Sequence, residues 1–149
     1  RQATGKSAAL LGASLLAASL AVVALAPASL LASQKAASVS GEPFSETKLA
    51  ALRAQGTPVF LYFTADWCLT CKVNEKAAIE REEVTRAFEQ AGVVVMVGDW
   101  TNADPAISRF LEARGRSGVP LYLFYPKGSA DPTELPQVLT PSMLVALAL

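Results

Sequence analysis

Three short runs of almost wholly apolar residues punctuate the later part of the chain: Pro58–Phe63 (PVFLYF), Val93–Val97 (VVVMV) and Leu121–Tyr125 (LYLFY). None alternates apolar with polar residues, as a strand with one wet face does. All three have strand length and are rich in β-branched or aromatic side chains, which suits strands covered on both faces. Helix signals lie between them. Ser45 can cap a helix to Ala54 with Leu49 and Leu52 on one face, and Gly56 follows its end. Cys71–Ala91 is rich in Ala, Glu, Lys and Arg, with an inner face of Val84, Ala87, Phe88 and Ala91, a bend near Glu80 and Gly92 at its end. Asp104-Pro105 is a helix start, and Ile107, Phe110 and Leu111 give that helix an apolar stripe. A short edge strand near Gln137–Leu139 and a closing helix over Ser142–Leu149 complete the order. Strands alternating with helices mean βαβ units. The fold class is α/β, a mixed sheet between helices with a hairpin on one edge.

The first part of the chain has a different character. Ala8–Ala32 carries no charge, and Arg1 and Lys6 precede it. About 20 helical residues cross the hydrocarbon core of a bilayer, so the segment is long enough. Its small residues suit close helix packing, and the leading basic residues favour a cytoplasmic N-terminal end. Residues 1–33 therefore read as a transmembrane helix with a short cytoplasmic flank, 34–43 as a polar linker and 44–149 as the globular domain. A cleaved signal peptide, with Ala24-Leu25-Ala26 as its site, and a buried helix are the alternatives. Either of the first two exports the domain to a place where disulfides persist. The chain opens on Arg1 rather than methionine, and a longer precursor is the expectation.

Composition narrows the chemistry. The 13 basic and 13 acidic side chains cancel, and no basic run or basic-aromatic patch exists to hold nucleic acid. Histidine is absent and there are only two cysteines, which excludes a four-ligand Cys/His zinc site within the chain. What remains are cysteines, carboxylates, lysines and hydroxyls. Cys68 and Cys71 stand between a buried strand and a helix. Free backbone N–H groups at a helix start favour an anion, and a cysteine there has a lowered pKa. The spacing of three lets the second sulfur close a small ring. The expected reaction is attack by the Cys68 thiolate on a substrate disulfide, then attack by Cys71 on Cys68, leaving a Cys68–Cys71 disulfide. Inert core cysteines and a soft copper-binding pair are the competing readings.

Thr64–Glu75 (TADWCLTCKVNE) resembles the active-site segment of thioredoxin-like domains. It is most similar to the C-terminal periplasmic domain of the DsbD family, the inner-membrane thiol:disulfide interchange proteins. Gly118-Val119-Pro120, just before a strand, is similar to that fold's cis-proline loop. The resemblance spans Phe44–Leu149, and the preceding apolar segment matches that family's last membrane helix. It implies a thioredoxin-like fold and a protein-disulfide reductase. It also implies electrons arriving from a membrane-embedded cysteine-pair domain and leaving to periplasmic disulfide-bearing proteins, with no cofactor and no metal. Val119 and Pro120 would bind substrate backbone, Trp67 would shield the site and form contact surface, and Glu75 would raise the pKa of the attacking thiol. Plainer roles stand beside these: a trans proline, a surface aromatic, a solvated glutamate, and for Asp66 and Lys72 a cap or solvated charges. Two features predict a reducing pair: Leu69-Thr70 carries no positive group, and Glu75 opposes the thiolate. A stand-alone membrane-anchored thioredoxin, serving cytochrome c maturation or disulfide isomerisation, is the second enzymatic reading. In one respect the chain departs from the family: Tyr62 stands six residues before Cys68, where an aspartate is common, and it cannot act as a base near neutral pH.

Overall fold

A computed structural model describes residues 41–129 and 131–149. The apolar segment read as a membrane helix, and nearly all of the linker, lie outside the described residues. Among the described residues no helix is long and apolar enough to cross a membrane.

Five strands form one mixed sheet in the order β1-β3-β2-β4-β5. They are β1 (Glu42–Pro43), β2 (Val59–Thr64), β3 (Val94–Asp99), β4 (Leu121–Tyr125) and β5 (Thr133–Glu134). Strands β1 and β2 pair parallel to β3, while β4 pairs antiparallel to β2 and to β5. The α/β mixed sheet is therefore as expected. The sheet already begins at Glu42, inside the stretch read as linker. Helices α1 (Glu46–Ala54), α2 (Leu69–Asn74), α3 (Glu82–Ala91), α4 (Pro105–Glu112) and α5 (Pro141–Ala146) surround it.

Every residue of β2 and β4 is buried. Their side chains alternate between two cores, as the strand period of two requires. Val59, Leu61, Phe63, Leu121, Leu123 and Tyr125 pack with Met96 of β3 against Leu49 of α1 and Ile107, Phe110 and Leu111 of α4. Phe60, Tyr62, Tyr122 and Phe124 face the other way, toward Ala78, Ile79, Val84, Phe88 and Leu144. Phe44 closes the first core, with ring centroids 5.0 Å from Phe63 and 4.9 Å from Phe110.

Local signals account for the helix ends. The Ser45 hydroxyl accepts from the Lys48 N–H, Asp104 accepts from Ala106 and Ile107, and Thr140 accepts from Met143. The helix expected over Cys71–Ala91 differs in two ways. It starts earlier, at Leu69. It is also interrupted: Glu75–Ile79 forms a π-helical turn in which the Glu80 N–H reaches the Glu75 carbonyl, and the chain is extended at Arg81 before α3 begins. That break is the bend expected near Glu80. On α3, Val84 and Phe88 are buried, but Ala91 is exposed.

The edge strand lies at Thr133–Glu134 rather than Gln137–Leu139. The Leu135 N–H still donates to the Tyr122 carbonyl. Pro136 then has no N–H with which to continue the ladder. Gln137 and Leu139 are held instead by one side chain. The Asn74 amide donates to the Gln137 carbonyl (2.7 Å) and to the Tyr122 hydroxyl (2.8 Å), and its oxygen accepts from the Leu139 N–H (3.1 Å).

Gly98 lies opposite Phe63 in the β2–β3 register. A Cβ at Gly98 would overlap Cδ1 and Cε1 of the Phe63 ring. Gly98→Ala is therefore expected to lower the unfolding free energy by about 1–3 kcal/mol, the usual cost of overpacking a filled core, measured by urea denaturation. An unchanged midpoint would show that the ring moves aside freely.

Candidate redox site

The site sits where β2 ends. Thr64 and Ala65 are buried, the chain turns over Asp66 and Trp67, and α2 begins at Leu69. The Cys68 N–H donates to the Ala65 carbonyl (3.1 Å), closing the turn. Cys68 is itself the N-cap of α2: its Sγ accepts the Cys71 N–H at 3.2 Å. A sulfur thus takes the place usually held by a Ser or Asp oxygen. The N–H that would stabilise a Cys68 thiolate comes from the residue whose sulfur completes the pair. Cys68 and Cys71 are joined in a disulfide with Cα atoms 5.3 Å apart. Cys68 is 7% exposed and Cys71 1%, so the first sulfur is the more accessible.

The Val119–Pro120 peptide bond is cis. Val119 packs against Ala65, Cys68 and Cys71, and Pro120 is buried. Trp67, on the other side, is 61% exposed.

Glu75 is buried rather than solvated, at 3% exposure. Its carboxylate accepts the Thr64 hydroxyl at Oε1 and the Lys72 ammonium at Oε2 (3.1 Å). Lys72 also lies 3.5 Å from exposed Asp66. Partial burial alone would lower the Lys72 pKa. The hydrogen bond and charge of Glu75, with Asp66 adding, more than offset that and raise it, so Lys72 stays charged. A buried carboxylate is tolerated when paired and hydrogen-bonded, and here one bond comes from each side. Asp66 does not cap α2; its N–H donates to the Thr101 hydroxyl instead.

Burial, the largest cause, raises the Tyr62 hydroxyl above its ordinary value, and the charges of Glu75 and Glu80 add to it. That hydroxyl makes no hydrogen bond among the described residues. Tyr122 is pushed up to about 12, mainly by burial; its bond from Asn74 opposes the shift and Glu75 adds to it.

A profile of thioredoxin-like sequences matches residues 42–127. The chain belongs to the thioredoxin-like family. Within that family its sequence is similar to the thiol:disulfide interchange protein DsbD of Cronobacter sakazakii, 34% identical over 84 residues. It is likewise 34% identical over 80 residues to DsbD of Vibrio cholerae. These alignments take in 56% and 54% of this chain but only 14% and 13% of the relatives, so the chain spans a small part of their length. The oxidised C-terminal domain of Neisseria meningitidis DsbD has the same fold, with a TM-score of 0.55 at 22% identity over 69% of this chain and 93% of that domain. The described residues thus form a thioredoxin-like domain related to the DsbD C-terminal domain.

The structure brings Val119 against Cys68 and Cys71 and Glu75 against Thr64, with Lys72 linking Glu75 to exposed Asp66, while Trp67 bonds to Thr101. Sequence reading missed Thr64, Asn74, Trp100 and Thr101. Thr64 carried one signal: it is the polar residue at the end of an apolar strand, on the same face as Phe60 and Tyr62.

The tyrosines set a test. A hydroxyl held above its unfolded value of about 10 contributes stability that is fully present below that pH and lost as pH rises through the folded value. Stability should therefore fall from about pH 10 upward, through about 12 for Tyr122. Tyr62→Phe removes a buried hydroxyl with no bond, so at neutral pH stability should hold or rise by up to about 1 kcal/mol. The alkaline loss should become shallower. Chemical denaturation across pH 7–12 checks both; a clear loss at neutral pH would mean that the hydroxyl has a partner.

Proposed function

We propose that this domain is a thiol:disulfide oxidoreductase working as a protein-disulfide reductase through Cys68 and Cys71. The observation that carries the reading is the Cys68 sulfur capping α2 beside the Val119–Pro120 loop, bonded to a more deeply buried Cys71. In the reduced domain the Cys68 thiolate attacks one sulfur of a substrate disulfide. The substrate's other sulfur leaves as a thiolate and takes up a proton, and a mixed disulfide remains. Cys71 loses its proton and attacks Cys68 Sγ. The Cys68–Cys71 bond forms, and the second substrate thiolate leaves and takes up a proton. Two electrons have then passed to the substrate, and its two protons match the one Cys68 gave to solvent on becoming a thiolate and the one lost by Cys71. Glu75 is the proton acceptor of choice for Cys71: it lies one helical turn on, its N–H donates to the Cys71 carbonyl, and it is the buried carboxylate among the described residues. Its charge also opposes a thiolate nearby, which makes the disulfide the favoured form and the domain a reductant. Val119 offers its backbone to an extended substrate segment, and Trp67 supplies apolar contact.

The copper reading is less well supported. The relatives in sequence are thiol:disulfide interchange proteins, and the Val119–Pro120 loop packs on the cysteine pair as exchange with a protein requires. The wider setting is our inference, supported by the apolar N-terminal sequence and the DsbD relatives. We place the domain on the periplasmic side of a bacterial inner membrane, held by the Ala8–Ala32 segment. There it takes electrons from a membrane-embedded cysteine pair and passes them to periplasmic disulfide-bearing proteins. Finding further membrane helices with two cysteines upstream in the gene would favour this setting over a stand-alone anchored thioredoxin for cytochrome c maturation or disulfide isomerisation.

Four outcomes are expected. The reduced protein turns over insulin disulfides, and Cys68→Ala abolishes it. Cys71→Ala accumulates a mixed disulfide with substrate on non-reducing gels; accumulation only with Cys68→Ala would reverse the roles. Equilibration with glutathione gives a reducing potential, and a value near about −120 mV, as in a strongly oxidising partner, would sink the reductase direction. Glu75→Gln should slow resolution of the mixed disulfide by about 10–100-fold, the low end of general-base effects, with the first attack little changed.

A further inference from the structure

The loop after β3 supplies no cysteine, yet it touches three parts of the site. The Trp100 N–H donates to the Thr64 carbonyl (2.8 Å), continuing the β2–β3 pairing to the edge of the active-site turn. The Thr101 hydroxyl accepts from the Asp66 N–H (2.9 Å) and donates to Asp99 Oδ1, which also accepts the Thr101 N–H (2.9 Å). The Thr101 carbonyl accepts the Trp67 indole N–H (3.2 Å). The Trp67 and Trp100 rings lie 6.0 Å apart at 59°. Trp100 is in turn fastened to α4: its indole N–H donates to Ser108 Oγ (2.9 Å), and that hydroxyl donates to the Asp104 carbonyl (2.9 Å). The same ring reaches the proline loop, since a Cβ at Gly118 would lie 3.7 Å from Trp100 Cζ3.

An indole as exposed as Trp67 ordinarily keeps several rotamers, and ordering it on docking costs free energy. Here a hydrogen bond and a ring contact set its position in advance. The ring that does this also borders the loop carrying Val119. A small disulfide needs only Cys68 Sγ. A protein segment docked at Cys68 also meets its neighbours Trp67 and Val119, so it alone feels how those two are set.

We propose that Trp100 and Thr101 are positioning residues for protein-sized substrates, holding Trp67 and the Val119–Pro120 loop in place beside Cys68. They touch no reacting atom. The inference rests on the oxidoreductase reading and adds a determinant of preference for protein over small disulfides.

Thr101→Val keeps shape and removes both hydroxyl bonds; Trp100→Phe keeps an apolar ring and removes the Ser108 anchor. KM for insulin should rise about 2–10-fold in each, the range for losing one or two hydrogen bonds. Both kcat and the rate with hydroxyethyl disulfide should stay within about twofold. The chain has two tryptophans, so in Trp100→Phe the emission is that of Trp67. Adding Thr101→Val to that variant should lower its fluorescence anisotropy. Equal losses with insulin and the small disulfide, or an unchanged KM for insulin in both variants, would overturn the proposal. Failure of the unaltered protein to reduce either disulfide would instead remove the oxidoreductase reading beneath it.

Discussion

Strand β2 has no wet face, and the position of the site follows from that. Val59–Thr64 lies between β3 and β4 with every residue buried. A slip of one residue would exchange Phe60, Tyr62 and Thr64 with Val59, Leu61 and Phe63 between two cores already filled. The register is therefore held from both sides, and so is the point where the strand stops. Ala65 and the turn to Cys68 inherit that position, with no slack between the sheet and the first sulfur. The close fit of Phe63 over Gly98 belongs to the same constraint, because a side chain at 98 would displace the ring that packs against Phe44 and Phe110.

Around this fixed point the polar groups act in opposite directions on a Cys68 charge. The Cys71 N–H, aimed at the sulfur, favours a thiolate. Buried Glu75 disfavours one. Lys72 stands by Glu75 and Asp66, so much of its charge is answered before it reaches the sulfurs. One favouring donor set against a buried carboxylate is in keeping with the reductase direction proposed above.

What could be read from the sequence was what repeats along it. Continuous apolar runs marked β2, β3 and β4, and Ser45 and Asp104-Pro105 marked two helix starts. The cysteine spacing marked the reacting atoms. What escaped was set through space. Thr64 meets Glu75 across a separation of 11 residues, Trp67 meets Thr101 across 34, and Asn74 binds Gln137 and Leu139 across 63 and 65. No local pattern announces such pairs. The range of the helix expected over Cys71–Ala91 begins too late for a related reason: the composition marks its body, whereas the Cys68 sulfur acts as its N-cap, a part usually taken by an oxygen. Gln137–Leu139 read as a strand because its apolar residues suit one, whereas Pro136 ends the ladder and Asn74 supplies the backbone partners that a neighbouring strand would have supplied.

Tyr62 shows how a change at one position is absorbed by its neighbours. The family's common aspartate would place a carboxylate on the strand face that looks at α2. Tyrosine puts an aromatic ring there, stacked with Phe60 and Tyr122, and a hydroxyl that burial keeps neutral. It can neither accept a proton near neutral pH nor carry charge to the sulfurs. Two residues along the same strand face, however, Thr64 presents a hydroxyl, and it grips Glu75. The carboxylate on the facing helix is thus held from the strand. Its second oxygen accepts from Lys72, which also lies by exposed Asp66. The strand thus contributes a neutral ring and a hydroxyl here, and the buried carboxylate beside them comes from the helix.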